Sequence, residues 1–88
     1  MDTRESKIES KVCKYAQSKG WLVFKFVSPG NTGVPDRLFL KDGKAVFVEF
    51  KAPSKKISDQ QNYVINKIRS QNFLVIILDN FEACYEYF

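Results

Sequence analysis

The sequence predicts an α/β fold: one small mixed sheet in the order αβββαβ, with helices on both faces. Three observations lead there. Asp42-Gly43 separates two apolar-rich stretches, and a two-residue type I′ turn needs positive φ at both central positions, which makes this dipeptide a strong hairpin signal. Ahead of it, Ile8, Val12, Tyr15 and Ala16 recur at helical spacing. Behind it, an amphipathic segment leads into the continuously apolar run Phe73 to Leu78. A path from Phe47 through that segment to Val75 implies a right-handed parallel crossover, with the last strand buried on both faces.

The elements follow in order. Residues 5 to 19 read as the first helix, ended by Gly20. Trp21 to Val27 is aromatic and β-branched, hence a strand, and Ser28 to Gly33 is a turn-forming, glycine-rich loop. After the hairpin, Ala52 to Ile57 is a polar connection. Ser58 opens a second helix to about Gln71, with Ser58 and Gln61 spaced as a capping box and Tyr63 or Val64, Ile65 and Ile68 facing inward. Asp79 and Glu82 repeat the capping pattern, so the tail reads as a short helix, although its aromatic content also suits an edge strand.

The turn sets the register. With Asp42 and Gly43 at the apex, Lys41 pairs with Lys44, Leu40 with Ala45 and Leu38 with Phe47. Asp36 then stands opposite Glu49, with Cβ atoms roughly 4.5–5.5 Å apart if the ladder holds, and Lys51 follows on the same face. Opposed like charges destabilise a strand pair unless one acid is protonated or a cation lies between them. A divalent metal is the natural cation, and oxygen ligands suit Mg²⁺ or Mn²⁺. Apolar residues on both strand faces suggest that the acids line a cleft at the sheet's end rather than a solvated face.

Composition narrows the chemistry. The chain of 88 residues contains no histidine, which removes Ser-His-Asp and Cys-His catalysis and the usual zinc cages. Cys13 and Cys84 are too few and too far apart for a metal knuckle and read as reduced core thiols, which points to the cytoplasm. One small domain spanning residues 1 to 88 is expected, without a membrane span or secretory leader. The net charge of +4 permits a polyanionic partner without naming one.

Beyond Pro35-Asp36 and Glu49-Phe50-Lys51, the segments Phe26-Val-Ser-Pro-Gly30, Gly33-Val-Pro-Asp-Arg37, Val46-Phe-Val-Glu-Phe-Lys-Ala-Pro53 and Ser58-Asp-Gln-Gln61 complete a pattern. With the αβββαβ order it resembles the PD-(D/E)XK nuclease superfamily, whose core is restriction-endonuclease-like. More narrowly, it resembles the stand-alone virus-type replication-repair nuclease (VRR-NUC) domain. The resemblance implies Mg²⁺ or Mn²⁺ held by Asp36, Glu49 and the Phe50 backbone carbonyl, with Lys51 acting on the attacking water or the phosphate. It also implies a glutamate on the first helix. Glu9, eleven residues before Gly20, is the first choice, and Glu5 competes for the role.

The implied reaction is hydrolysis of a DNA phosphodiester that leaves a 5′-phosphate, in a homodimer selective for branched DNA such as Holliday junctions. DNA repair in a host cell's cytoplasm, if the gene is phage-borne, would be its setting. No small-molecule cofactor is expected. Ser28, Gly30, Gly33, Arg37, Lys55, Lys56 and Gln61 are candidate substrate contacts, and Gln61 also suits the helix cap. Arg37 falls on the face opposite Asp36 and points to DNA elsewhere or to a partner chain. The rival readings are a DNA-binding module that keeps the fold without chemistry, and a protein-interaction domain docking through Phe81, Tyr85, Tyr87 and Phe88.

Overall fold

The computed structural model describes residues 3–88. Its elements are helix α1 (Thr3–Ser18), strands β1 (Leu22–Lys25), β2 (Arg37–Lys41) and β3 (Lys44–Phe50), helix α2 (Asp59–Ser70), strand β4 (Leu74–Leu78) and a short 3-10 helix (Glu82–Glu86). The sheet order is β1-β2-β3-β4, antiparallel except for the parallel β3–β4 pair.

The hairpin has the predicted register: Lys41 faces Lys44, Leu38 faces Phe47, and Arg37 faces Val48. Asp42 and Gly43 both take positive φ, at 50° and 77°, as a type I′ turn requires. Alternation then splits the hairpin into two faces. Phe39, Val46, Val48 and Phe50 are buried with Val12, Ala16, Ile76, Leu78 and Cys84 in the main core, on the side of α1. Leu38, Leu40 and Phe47 lie on the opposite side.

Helix α1 ends as a Schellman motif, with Gly20 N–H donating to the Gln17 carbonyl and Trp21 N–H to that of Ala16. That closure drops Trp21 into the core. The 3-10 helix closes the same layer: Phe88 stacks on Phe39 at 4.6 Å and meets Trp21 edge-on at 5.1 Å. Phe81 and Phe88 are thus packing residues and not a free docking tail. The tail's expected Asp79–Glu82 capping box does not form. Asn80 takes that place, its Oδ1 accepting from Ala83 N–H at 2.9 Å.

Two further expectations need correction. β4 is not buried on both faces, because it is the sheet's edge: Leu74 and Ile77 are exposed while Val75, Ile76 and Leu78 are buried. Helices lie on both faces, but α2 packs on β4, with Ile65 and Val75 buried there, and leaves the β1–β2 half of its face bare. Leu22 and Phe24 are 59% and 51% exposed there. Val64, not Tyr63, turns inward from α2; Tyr63 is exposed.

Candidate active site

Asp36 stands one residue ahead of β2, after the fully buried Pro35. Its main-chain carbonyl accepts from Phe26 N–H at 3.0 Å, and its carboxylate Oδ2 accepts from Phe50 N–H at 2.9 Å. The side chain is therefore fastened across the hairpin to the residue that follows Glu49. Burial raises the Asp36 pKa, and the Phe50 N–H opposes that rise.

Glu49 is 2% exposed. Its Oε2 accepts from Gln61 Nε2 at 3.0 Å and lies 3.6 Å from Lys51 Nζ. Its Oε1 is buried and has no hydrogen-bond partner among the described residues. Desolvation, reinforced by the charge of Asp36, raises its pKa to about 7, with Lys51 pulling the other way. Buried polar atoms nearly always find a partner, so an unpaired carboxylate oxygen beside a second acid suits a site for a cation. Asp36, Glu49 and Lys51 fit a divalent metal with oxygen ligands and a neighbouring phosphate. Among the described residues, no three Asp, Glu or Cys side chains form a closed cage, so any ion would complete its shell with water, backbone or substrate oxygens, as Mg²⁺ commonly does.

The α1 stripe that buries Val12, Cys13 and Ala16 continues through Glu9 and Glu5, a turn apart and both half-buried. Glu9 gives its Oε2 to Arg37 Nε at 2.7 Å, in an ion pair. The Glu5 pKa is raised by desolvation and then by Asp36, with Lys51 opposing. Glu5 thus feels Asp36 and Lys51, and its charge in turn acts on Glu49, while the charge of Glu9 acts on Asp36. Arg37 projects toward α1, away from Asp36, as the strand alternation predicts.

The remaining candidates divide between two elements. Ser28 closes a turn by accepting Asn31 N–H at 3.0 Å on its carbonyl and Asn31 Nδ2 at 2.9 Å on its hydroxyl, with Gly30 inside that turn. Gly33 is pressed against α2: an added Cβ would meet the Gln60 backbone oxygen at 2.9 Å, and φ is +87°. Gln60 Nε2 donates to the Thr32 carbonyl at 3.2 Å, completing the contact. The glycine is thus required by close packing of the loop on the helix, a role the sequence alone did not disclose. Lys55 and Lys56 are exposed on the β3–α2 connection, and Gln61 forms the helix cap while its amide also donates to Glu49. Sequence reasoning missed the Glu9–Arg37 pair. Its signal was present in the two periodicities, helical for Glu9 and alternating for Arg37.

The chain is similar to known proteins in both sequence and fold. The sequence profile of the VRR-NUC domain matches residues 4–81. A relative, "Putative nuclease p44" of Acyrthosiphon pisum secondary endosymbiont phage 1, is 41% identical over 78 residues, covering 88% of this chain and 84% of its own. A solved structure described as a VRR_NUC domain superposes with a TM-score of 0.89 at 25% identity, covering 99% of this chain and 100% of that one. The match therefore spans both the sheet that carries Asp36 and Glu49 and the helix that carries Gln61, and the chain belongs to the VRR-NUC domain family.

Proposed function

We propose that the protein is a metal-dependent DNA endonuclease whose reacting centre is Asp36, Glu49 and Lys51. The observation that carries this reading is the unpaired, buried Oε1 of Glu49 beside Asp36. Family membership and the phage relative's name support nuclease activity. Asp36 and Glu49, with the Phe50 carbonyl, would hold Mg²⁺ or Mn²⁺. Bound there, the metal supplies Lewis-acid polarisation of the phosphate and a more acidic water.

The chain's own groups prepare that step. Phe50 N–H fixes the Asp36 carboxylate, and Gln61 holds one oxygen of Glu49 while the other stays open to the cation. Lys51, whose ammonium lies beside Glu49, orients the attacking water or stabilises charge gathering on the phosphate. Both helix glutamates act on the acid pair, Glu9 on Asp36 and Glu5 on Glu49; because Glu9 is already engaged by Arg37, we take Glu5 as the third carboxylate.

The same reading takes the protein as a homodimer acting on branched DNA. Its support is the bare half-face, where Leu22 and Phe24 are exposed beside the half-buried Leu38 and Leu40, whereas a solvated sheet face usually alternates to polar residues. A dimer would bring two sites to one junction. The phage relative supports the cytoplasm of an infected host cell as its place of action.

The test is incubation with four-way, flapped and linear DNA in Mg²⁺, Mn²⁺ or chelator, alongside Asp36→Ala and Lys51→Ala. Metal-dependent cutting lost in both variants is expected. Equal residual cutting by wild type and variants refutes the enzyme. DNA binding without cutting in either metal favours the inactive DNA-binding module.

A further inference from the structure

Arg37 and Glu9 lie between two open grooves. One, of about 540 Å³, runs past Ser6, Lys25 and Asp36; the other, of about 440 Å³, runs along α1 past Ser10, Lys14 and Gln17. Ser6, Glu9 and Arg37 line both, so the two grooves adjoin at the ion pair as a channel whose first part reaches Asp36.

The ion pair is one-sided. Glu9 takes Nε of Arg37, and the terminal guanidinium nitrogens have no partner among the described residues. A pair serving only to bind helix to sheet would gain from the two-point fork that arginine and carboxylate favour. Here the contact fixes the plane of the guanidinium and leaves its outer edge open, with the arginine side chain 22% exposed. Lys25 and Lys14 add positive charge along the same walls, and Ser6 and Ser10 add hydroxyl groups.

We propose that this channel is a phosphodiester subsite, in which Arg37, aimed by Glu9, grips the nucleic-acid backbone next to the phosphate at Asp36. The proposal rests on the nuclease reading for the direction of the strand but not for the binding itself. Arg37 is the binding residue and Glu9 a positioning residue. A guanidinium held in plane loses less freedom when it forms two parallel hydrogen bonds to a phosphate. Backbone contacts of this kind set register and affinity without reading sequence.

The experiment measures binding of a labelled four-way junction and a labelled duplex in chelator over a range of salt, then cutting in Mn²⁺ at rising DNA concentration. Arg37→Ala is expected to weaken binding of both DNAs about tenfold and to lower the slope of log affinity against log salt by about 1. Arg37→Lys should keep the slope and recover only part of the affinity, since an ammonium lacks the fork. Glu9→Gln should raise KM several-fold while its effect on kcat stays small.

Two results overturn the proposal. One is a collapse of kcat in Glu9→Gln at saturating DNA with affinity in chelator intact, which would make Glu9 a metal-side carboxylate. The other is a lower melting temperature in Arg37→Lys and Glu9→Gln with affinity and salt slope unchanged, which would make the pair a structural staple. If the wild type cuts nothing in either metal yet binds with the Arg37-dependent slope, the nuclease reading falls and the subsite stands.

Discussion

Gln61 joins two tasks in one amide: its Nε2 donates to Glu49 Oε2 at 3.0 Å, while its Oε1 accepts the Ser58 N–H at 2.9 Å. Ser58 Oγ in return accepts Gln61 N–H, completing a capping box at the start of α2. The helix start and the candidate metal ligand are therefore set by the same side chain. Groups that orient a metal ligand typically change affinity or activity by 10- to 100-fold when removed.

Gln61→Ala and Ser58→Ala should separate these tasks. Each loses part of the cap and is expected to lower stability by about 1 kcal/mol, read from denaturant or thermal unfolding. Only Gln61→Ala releases Glu49, so only it should also reduce cutting by roughly 10- to 100-fold. Equal activity losses in the two variants would show that the cap alone matters.

The raised Glu49 pKa predicts how metal-free stability changes with pH. The carboxyl is protonated in both states below its ordinary value of 4.5. Between there and about 7 the unfolded chain gives up the proton while the folded protein keeps it. Stability in chelator should therefore fall as pH rises through that window and level off above it. Glu49→Gln removes the Glu49 share of this dependence and should melt above the wild type at pH 8, the gap closing toward pH 4.5. Asp36 and Glu5 shift in the same direction and should reinforce the trend.

Metal binding should run the opposite way with pH. A cation needs the Glu49 carboxylate ionised, so added Mn²⁺ or Mg²⁺ should raise the melting temperature more at pH 8 than at pH 6. Asp36→Asn should remove most of that rise. Thermal melts with and without chelator provide the reading.

Gly33→Ala should be destabilising beyond the usual cost of a positive φ. The new Cβ meets the backbone oxygen of Gln60, which cannot rotate away as a side chain could. A loss of roughly 1–3 kcal/mol is expected, with cutting reduced in the surviving folded fraction because the loop leaves the helix that carries Gln61. Unfolding curves paired with specific activity would measure both.

The bare half-face predicts the oligomeric state. If two copies meet there, Phe24→Glu should convert a dimer into a folded monomer in analytical ultracentrifugation, at concentrations where the wild type keeps twice the mass. A wild type that sediments as a monomer removes the homodimer from the reading.

Much of this arrangement was legible in the residues themselves. The Asp42-Gly43 apex determined every pairing from Lys41–Lys44 to Arg37–Val48, because a two-residue turn and a period of two admit few alternatives. The Ser58–Gln61 spacing likewise located the start of α2. Features that depend on how elements meet were less accessible. The run from Phe73 to Leu78 does not reveal that β4 ends the sheet, so the exposure of Leu74 and Ile77 went unforeseen. The choice between Glu5 and Glu9 turns on how α1 lies across β2, and Glu9 and Arg37 stand 28 positions apart in the chain.

Because the hairpin serves at once as wall of the core and as frame of the acid pair, its length is quantised. Inserting one residue into β2 between Asp36 and the turn would exchange the buried Phe39 with the half-exposed Leu38 and carry Asp36 to the wrong side of the pleat. Lengthening each strand by two residues would restore both. The twelve residues between Asp36 and Glu49 therefore behave as a ruler graduated in pairs per strand. An engineer grafting this site onto another sheet should preserve that parity before any individual side chain.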